Sequence, residues 1–219
     1  MAMSLRVVVP PHPLISHWLA VLRDQHTPQP LYGSAMTELG RWLTYEAIRD
    51  WLPHRPLSLT TDLAATEGQI IDNTVPLLAL PLLSDGLGLW NGGQTVLPSA
   101  LVAHPQLAAH GAVDGLPPTI GTTTGVMVFC GQVATGERLG RLLEGLEAAG
   151  VSGRRLRVVT ALTASPGLQR LGERFPELTL YTACIDPEVS GDGRVVPGIG
   201  QLQERLFGWR TVETPAVTA

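Results

Sequence analysis

The chain has 219 residues, a net charge of −4, 44% hydrophobic and 16% charged residues, which fits one compact domain or one domain with a small appendage; no apolar run approaches the roughly 20 residues that a bilayer crossing needs. All 15 basic residues are Arg, which excludes Schiff-base chemistry on a lysine amine and a P-loop lysine on a nucleotide phosphate. The acidic balance with scattered basic residues argues against nucleic acid as a partner, and neither a membrane partner nor a secretory signal is expected, so the expected location is cytoplasmic. Cys130 and Cys184 lie far apart with no Cys or His at metal-ligand spacing. No metal site is expected, and both thiols are expected reduced in the core.

In chain order, apolar residues at three- and four-residue spacing (Leu39, Trp42, Leu43, Ile48, Trp51, Leu52) predict a helix from about Ser34 to Leu52, stopped by Pro53. The Thr-rich stretch LSLTTDLAATEGQ suits strands or a hairpin. Leu77 to Leu83 reads as a buried strand, followed by the turn Ser84-Asp85-Gly86-Leu87-Gly88 and a weak helix toward Pro98. Residues 103–125 are rich in Gly, Pro, Thr and His and read as a long loop. Val126 to Cys130 is a strand, Thr135 to Ala149 a helix with Leu139, Leu142, Leu143 and Leu146 on one face, and Leu156 to Leu162 a strand. Ser165-Pro166 places a capping hydroxyl before a proline, opening a helix that ends near Pro176, and Leu178 to Ile185 is a further strand. Strands alternating with helices, each strand uninterruptedly apolar, predict an α/β fold with a parallel sheet covered on both faces. Ligands of such folds bind beyond the carboxyl ends of the strands, so the turns after Leu83, Cys130 and Ile185 are the expected site.

In the strand–turn–helix VMVFCGQVATGERLGR, the turn Ala134-Thr135-Gly136 presents backbone N–H groups at the positive end of a helix dipole. Two readings of it stand: a phosphate cradle, or an ordinary helix cap.

Together with its surroundings, this turn resembles the uracil phosphoribosyltransferase family. The strings that carry the resemblance are HPLISHWLAVLRD (12–24), TELGRWLTYEAIRD (37–50), the GLG of Gly86 to Gly88, VATGERL (133–139), TASPG around Ser165, and LYTACID with VVPGIG and RLFG (180–208). The resemblance implies a single domain over 1–219. Its core would be phosphoribosyltransferase type I-like (about 54–185), a parallel sheet flanked by helices, preceded by N-terminal helices (about 12–53) and followed by a small hood (about 186–210). It also implies a reaction in which uracil and phosphoribosyl pyrophosphate (PRPP) give UMP and diphosphate. The implied ligands are uracil, UMP or PRPP, with magnesium only where PRPP binds. Together with the apolar helix bearing Trp42 and Trp51, it suggests a homodimer or higher homo-oligomer.

Carried over position by position, the PRPP loop is Cys130-Gly131-Gln132-Val133-Ala134-Thr135-Gly136-Glu137-Arg138, where the family reads DPMxATGGS. Three PRPP positions are degenerate: Ser84 and Ala109 stand for the two diphosphate Arg residues, and Gln201 for the hood Asp. Each lost charge-assisted contact is worth about 1.5–3 kcal/mol, so the two Arg losses cost about 3–6 kcal/mol. Glu137 either faces the phosphate, repelling it by roughly 3 kcal/mol per charge pair at 5 Å and an effective dielectric of 20, or faces solvent and favours the helix N-terminus. Arg138 could neutralise part of such repulsion. On the base side, the expected contacts are Val195, Gly200, Gln201 and Leu202, with Arg194 where the family usually has Tyr. The VPGIG backbone serves either base readout or packing of the hood.

No catalytic residue is assigned from the sequence. Arg23, Asp24, Arg49 and Asp50 read as structural ion pairs, and the histidines, His104 and His110 among them, show no metal spacing. The losses predict a ligand-binding or scaffold pseudoenzyme of the pyrimidine salvage family, weakly active or inactive. The alternative is an active, divergent transferase that uses other residues, such as Arg138, on its donor.

Overall fold

The structure is a computed structural model and describes residues 5–97, 99–108 and 113–208. Ala109 and His110 lie outside the described residues. The elements are β1 (Arg6–Val8), α1 (Pro13–Arg23), α2 (Gln29–Ile48), β2 (His54–Thr60), β3 (Ala65–Ile71), β4 (Leu77–Pro81), α3 (Gly86–Gly93), β5 (Leu101–Val102), β6 (Gln106–Leu107) and β7 (Val113–Asp114). There follow β8 (Gly125–Val133), α4 (Glu137–Ala148), β9 (Leu156–Ala164), α5 (Ser165–Arg174), β10 (Thr179–Thr182), β11 (Ile185–Asp186), β12 (Glu188–Val189), β13 (Val195–Val196) and α6 (Leu202–Phe207).

The main sheet runs β1-β10-β9-β8-β4-β5, with β11 also on β9, and every pairing in it is parallel. Alternation along the strands divides the core in two. On one face Met127, Phe129, Val159, Ala161 and Tyr181 pack under α1, α2 and α3 against Ile15, Leu22, Met36, Leu39 and Leu89. On the other, Val126, Val128, Val158 and Leu180 pack under α4 and α5 against Leu139, Leu142, Leu143, Leu146 and Leu171. Apolar residues on both pleats require helices on both faces, because either face left bare would hold it in water. This is the expected parallel sheet flanked by helices.

The structure corrects several boundaries. Helix α2 begins at Gln29 rather than Ser34, with a proline in its first turn, and ends at Ile48 rather than Leu52. Its buried stripe already includes Tyr32, and Trp51 lies beyond the helix, its indole donating to the Arg154 carbonyl (3.0 Å). The long loop carries a short antiparallel ladder, β6 on β7. The strand expected at Leu178 to Ile185 breaks at Ala183-Cys184 into β10 and β11. Ser165 does not cap α5: Ala164 is the N-cap, and the Ser165 hydroxyl donates to the Asp186 carbonyl (3.3 Å). Cys130 is buried but Cys184 only half so, and both are free.

The Thr-rich stretch is the expected hairpin, with His54 opposite Ile71 and Thr60 opposite Ala65. It is mostly exposed, and Leu63 at its tip is 96% exposed. Among the described residues no helix is long and apolar enough to cross a membrane.

Candidate functional site

The ends of β4 and β8, the first turn of α4 and the start of α6 surround a cavity of about 360 Å³. Its walls come from Asp85, from Cys130 and the segment Gln132 to Gly136, from Arg138 and Leu139, and from Gln201 to Glu204. Among the described residues, Arg138 is the one basic side chain lining it.

The floor is the Ala134-Thr135-Gly136 turn. Gly136 is the N-cap of α4 with φ +77°, in the left-handed region, and its carbonyl accepts from the Gly140 N–H (2.8 Å). A Cβ there would lie 2.8 Å from the Gly167 carbonyl oxygen, and one on Gly167 would lie 2.3 Å from that of Ala134. Two glycines therefore let this turn and the first turn of α5 touch backbone to backbone, which is the physical reason for the TASPG string. The result is a helix N-terminus with a partial positive charge at the cavity, its Glu137 N–H donating to Thr135 Oγ1 (3.5 Å). Glu137 sits in that first turn but is exposed and does not line the cavity, which selects its solvent-facing reading.

Beside the turn, a half-buried ion pair sits in the cavity wall. Asp85, 4% exposed, accepts from Arg138 Nη1 (2.7 Å) and from the Gly131 N–H (3.1 Å). Arg138 Nη2 also donates to the Leu83 carbonyl, on the turn that contains the cis Leu83-Ser84 peptide. A Cβ on Gly131 would lie 2.7 Å from Asp85 Oδ2, so glycine at the end of β8 is what admits the carboxylate. Burial opposes the Arg138 charge, but Asp85 outweighs it and the guanidinium is held above its ordinary pKa. Burial and the charge of Asp85 push the Cys130 thiol up to about 12. It is therefore a neutral thiol, donating weakly to the Gln132 carbonyl (3.3 Å), and no thiolate nucleophile at neutral pH.

The opposite wall is the hood, and a second network fixes it to the body. Asp186, 3% exposed, receives Arg23 Nη2 (2.6 Å), Arg23 Nη1 (3.1 Å) and the Gly198 N–H (2.9 Å). Arg23 Nη1 also donates to the Gly198 carbonyl (3.0 Å), so the Arg23–Asp186 pair holds both the carbonyl and the N–H of Gly198, the residue that follows the cis-linked Pro197. Burial alone would raise the Asp186 pKa; the donors from Arg23 and Gly198 outweigh burial and hold the carboxyl below the usual carboxylate range. Tyr32 donates to the Ile199 carbonyl (3.0 Å), and burial raises its pKa, keeping the hydroxyl a donor. Arg205 stacks on the Tyr32 ring (4.2 Å) and donates to the carbonyls of Leu22 (2.6 Å) and Ile199 (3.1 Å).

Of the residues expected from the sequence, the cavity brings together Cys130, Gln132, Val133, Ala134, Thr135, Gly136, Arg138, Gln201 and Leu202. Ser84 is half-buried on the turn behind Arg138. Val195 is packed into the core, and Gly200 is exposed and does not line the cavity; a Cβ on it would lie 2.9 Å from Arg205 Cδ. Arg194 points away, paired with Asp192 (2.6 Å). Arg23 is an ion-pair residue, as expected, though its partner lies on β11, while Arg49 pairs with Glu46. Sequence reasoning did not join Asp85 to Arg138 or Arg23 to Asp186. The one available signal was that Arg138 departs from the DPMxATGGS pattern, while Asp85 stands beside the degenerate position Ser84.

A family model described as uracil phosphoribosyltransferase matches residues 9–209. A uracil phosphoribosyltransferase of Synechococcus elongatus is 42% identical over 215 residues, covering 95% of this chain and 99% of that protein. One from Nicotiana tabacum is 34% identical, covering 92% and 93%. A solved structure of a protein from Aquifex aeolicus aligns with a TM-score of 0.77 at 25% identity, covering 93% of this chain and 98% of that one.

Proposed function

From its membership of the uracil phosphoribosyltransferase family, which the match over residues 9–209 establishes, we propose that this chain is an active, divergent transferase that joins uracil to the phosphoribosyl group of PRPP. In this reading uracil N1 forms the bond to C1 of the ribose, the bond from C1 to the diphosphate oxygen breaks, and the N1 proton leaves; the products are UMP and diphosphate. The observation that carries it is the meeting, in one cavity, of the turn at Gly136, the side chain of Arg138 and the hood wall from Gln201 to Glu204. The amides of the α4 first turn take the 5′-phosphate, as a helix N-terminus takes any anion. Arg138 supplies the cation that the family's missing Arg residues would have supplied, on the same side of the cavity as Ser84.

The expectation of a non-catalytic scaffold rested on counting lost cations. It gives way to this reading because the relatives bearing the transferase name reach 42% identity along nearly the whole chain, and because Glu137 does not enter the cavity. Among the described residues no three His, Cys, Asp or Glu side chains converge as a metal site. Asp85, the buried carboxylate in the cavity wall, is committed to Arg138. Any magnesium in this reading is carried by the donor's own phosphates, and no step is routed through it.

The same proposal includes a homo-oligomer and a cytoplasmic location. The exposed hairpin with Leu63 at its tip supports the first, since an isolated two-stranded hairpin is marginally stable without a surface to pack on. Two free thiols support the second. Conversion of labelled uracil to UMP with magnesium and PRPP tests the reading; saturable turnover supports it, and its absence at millimolar PRPP ends it.

A further inference from the structure

We propose that Asp85 is an internal counter-anion seated where the donor's diphosphate binds, and that it sets how strongly the cavity selects an anionic donor. This rests on the reading of the cavity as a phosphoribosyl-transfer site. The groups Asp85 holds are those an incoming anion needs: a strand-end amide, Gly131 N–H at 3.1 Å, and a guanidinium, Arg138 Nη1 at 2.7 Å. Of these, Arg138 lines the cavity together with Asp85, whereas Gly131 is buried, and the carboxylate approaches its backbone so closely that Gly131 has no room for a Cβ. Carboxylate and phosphate oxygens make the same charge-assisted bonds to a guanidinium, so they compete for Arg138.

The arrangement is built to be exchanged. The Arg138 side chain keeps 41% of its surface open to water, so it can turn to a ligand without exposing apolar surface. Its other bond, from Nη2 to the Leu83 carbonyl, holds the guanidinium at the cavity edge when Asp85 lets go. While Asp85 is engaged, the pair presents no net charge to the cavity, and a polyanionic donor meets no uncompensated cation in its lining. Removing the carboxylate's charge leaves Arg138 uncompensated and attracts each donor phosphate. At about 5 Å and an effective dielectric near 20, that attraction amounts to roughly two-hundredfold in affinity per phosphate charge before screening by water and salt reduces it.

The test is D85N, whose amide oxygen still accepts from Gly131 N–H, with D85A as a second variant. Titration calorimetry with inorganic diphosphate plus magnesium is the probe, alongside the KM for PRPP. We expect diphosphate to bind D85N at least tenfold more tightly than wild type, and the gain to vanish in D85N/R138Q. Unchanged or weaker binding in folded D85N and D85A would show that Asp85 positions Arg138 rather than competing with it, overturning the proposal. Failure of both variants to fold would overturn it too, by making Asp85 a structural cap. UMP formation with unchanged donor affinity would sink only this proposal. Tighter diphosphate binding with no UMP from any variant would sink only the transferase reading.

Discussion

Arg23→Ala removes a single side chain that does not line the cavity and should loosen the cavity's hood wall. In the wild type Asp186 receives four donors: two from Arg23 (2.6 and 3.1 Å), the Gly198 N–H (2.9 Å) and the weak Cys184 thiol (3.6 Å). The substitution leaves only the last two on a carboxylate that is 3% exposed. Breaking a buried pair by removing one partner costs about 3–5 kcal/mol. Arg23 keeps 25% of its side-chain surface in water, and water entering its place recovers part of that loss. About 2–3 kcal/mol remains, a fall in Tm on the order of 5–10 °C for a chain this long.

The pH dependence has a definite sign. In the wild type the Asp186 pKa is held low, so its stabilisation is present above the unfolded carboxyl value of about 3.9 and lost as pH falls through the lower folded value. Without Arg23, burial dominates and raises the folded value, so the charged carboxylate destabilises the variant as pH rises through about 4. The gap between the two proteins should therefore be small near pH 3 and fully open at pH 7. Urea unfolding at pH 3, 5 and 7 measures it, and the KM for uracil should rise more than the KM for PRPP. A loss under about 0.5 kcal/mol at pH 7, or a gap independent of pH, would refute the role assigned to this pair.

Gly136→Ala forces a Cβ into a left-handed residue and within 2.8 Å of the Gly167 carbonyl, so we expect an unfolding free energy lower by about 1–3 kcal/mol and a PRPP KM raised at least tenfold in steady-state assays. Tyr32→Phe deletes one hydrogen bond to Ile199 while keeping the ring under Arg205, and should cost about 1 kcal/mol in urea unfolding. With its pKa near 12, Cys130 should resist alkylation at pH 8, and mass spectrometry after iodoacetamide should find the label on Cys184. Leu63→Asp should shift sedimentation velocity toward the monomer without changing the Tm of the isolated chain.

What could be read from the sequence was what depends on local pattern. The apolar runs of β8 and β9, the leucine stripe of α4 and the hairpin were legible because period and composition are properties of adjacent residues. The start of α2 was missed because Pro30 reads as a breaker unless it falls in a first turn, as it does here. The site was half legible: the turn at Gly136 and the hood segment at Gln201 were placed in the cavity by resemblance. What escaped were contacts between distant segments. Asp85 and Arg138 are 53 residues apart, and Arg23 and Asp186 are 163 apart. Nothing in either neighbourhood says which opposite charge will fold against it. Counting lost arginines therefore left Arg138 as a candidate replacement cation, and what it did not show was that Asp85 holds that guanidinium in the cavity wall.

The most direct measurement is a crystal structure of the protein soaked with UMP. The account predicts the 5′-phosphate on the amides between Thr135 and Leu139, with the uracil ring against the wall formed by Gln201 and Leu202. Ordered UMP bound elsewhere, or a cavity that stays empty of UMP while Arg138 remains on Asp85, would contradict it.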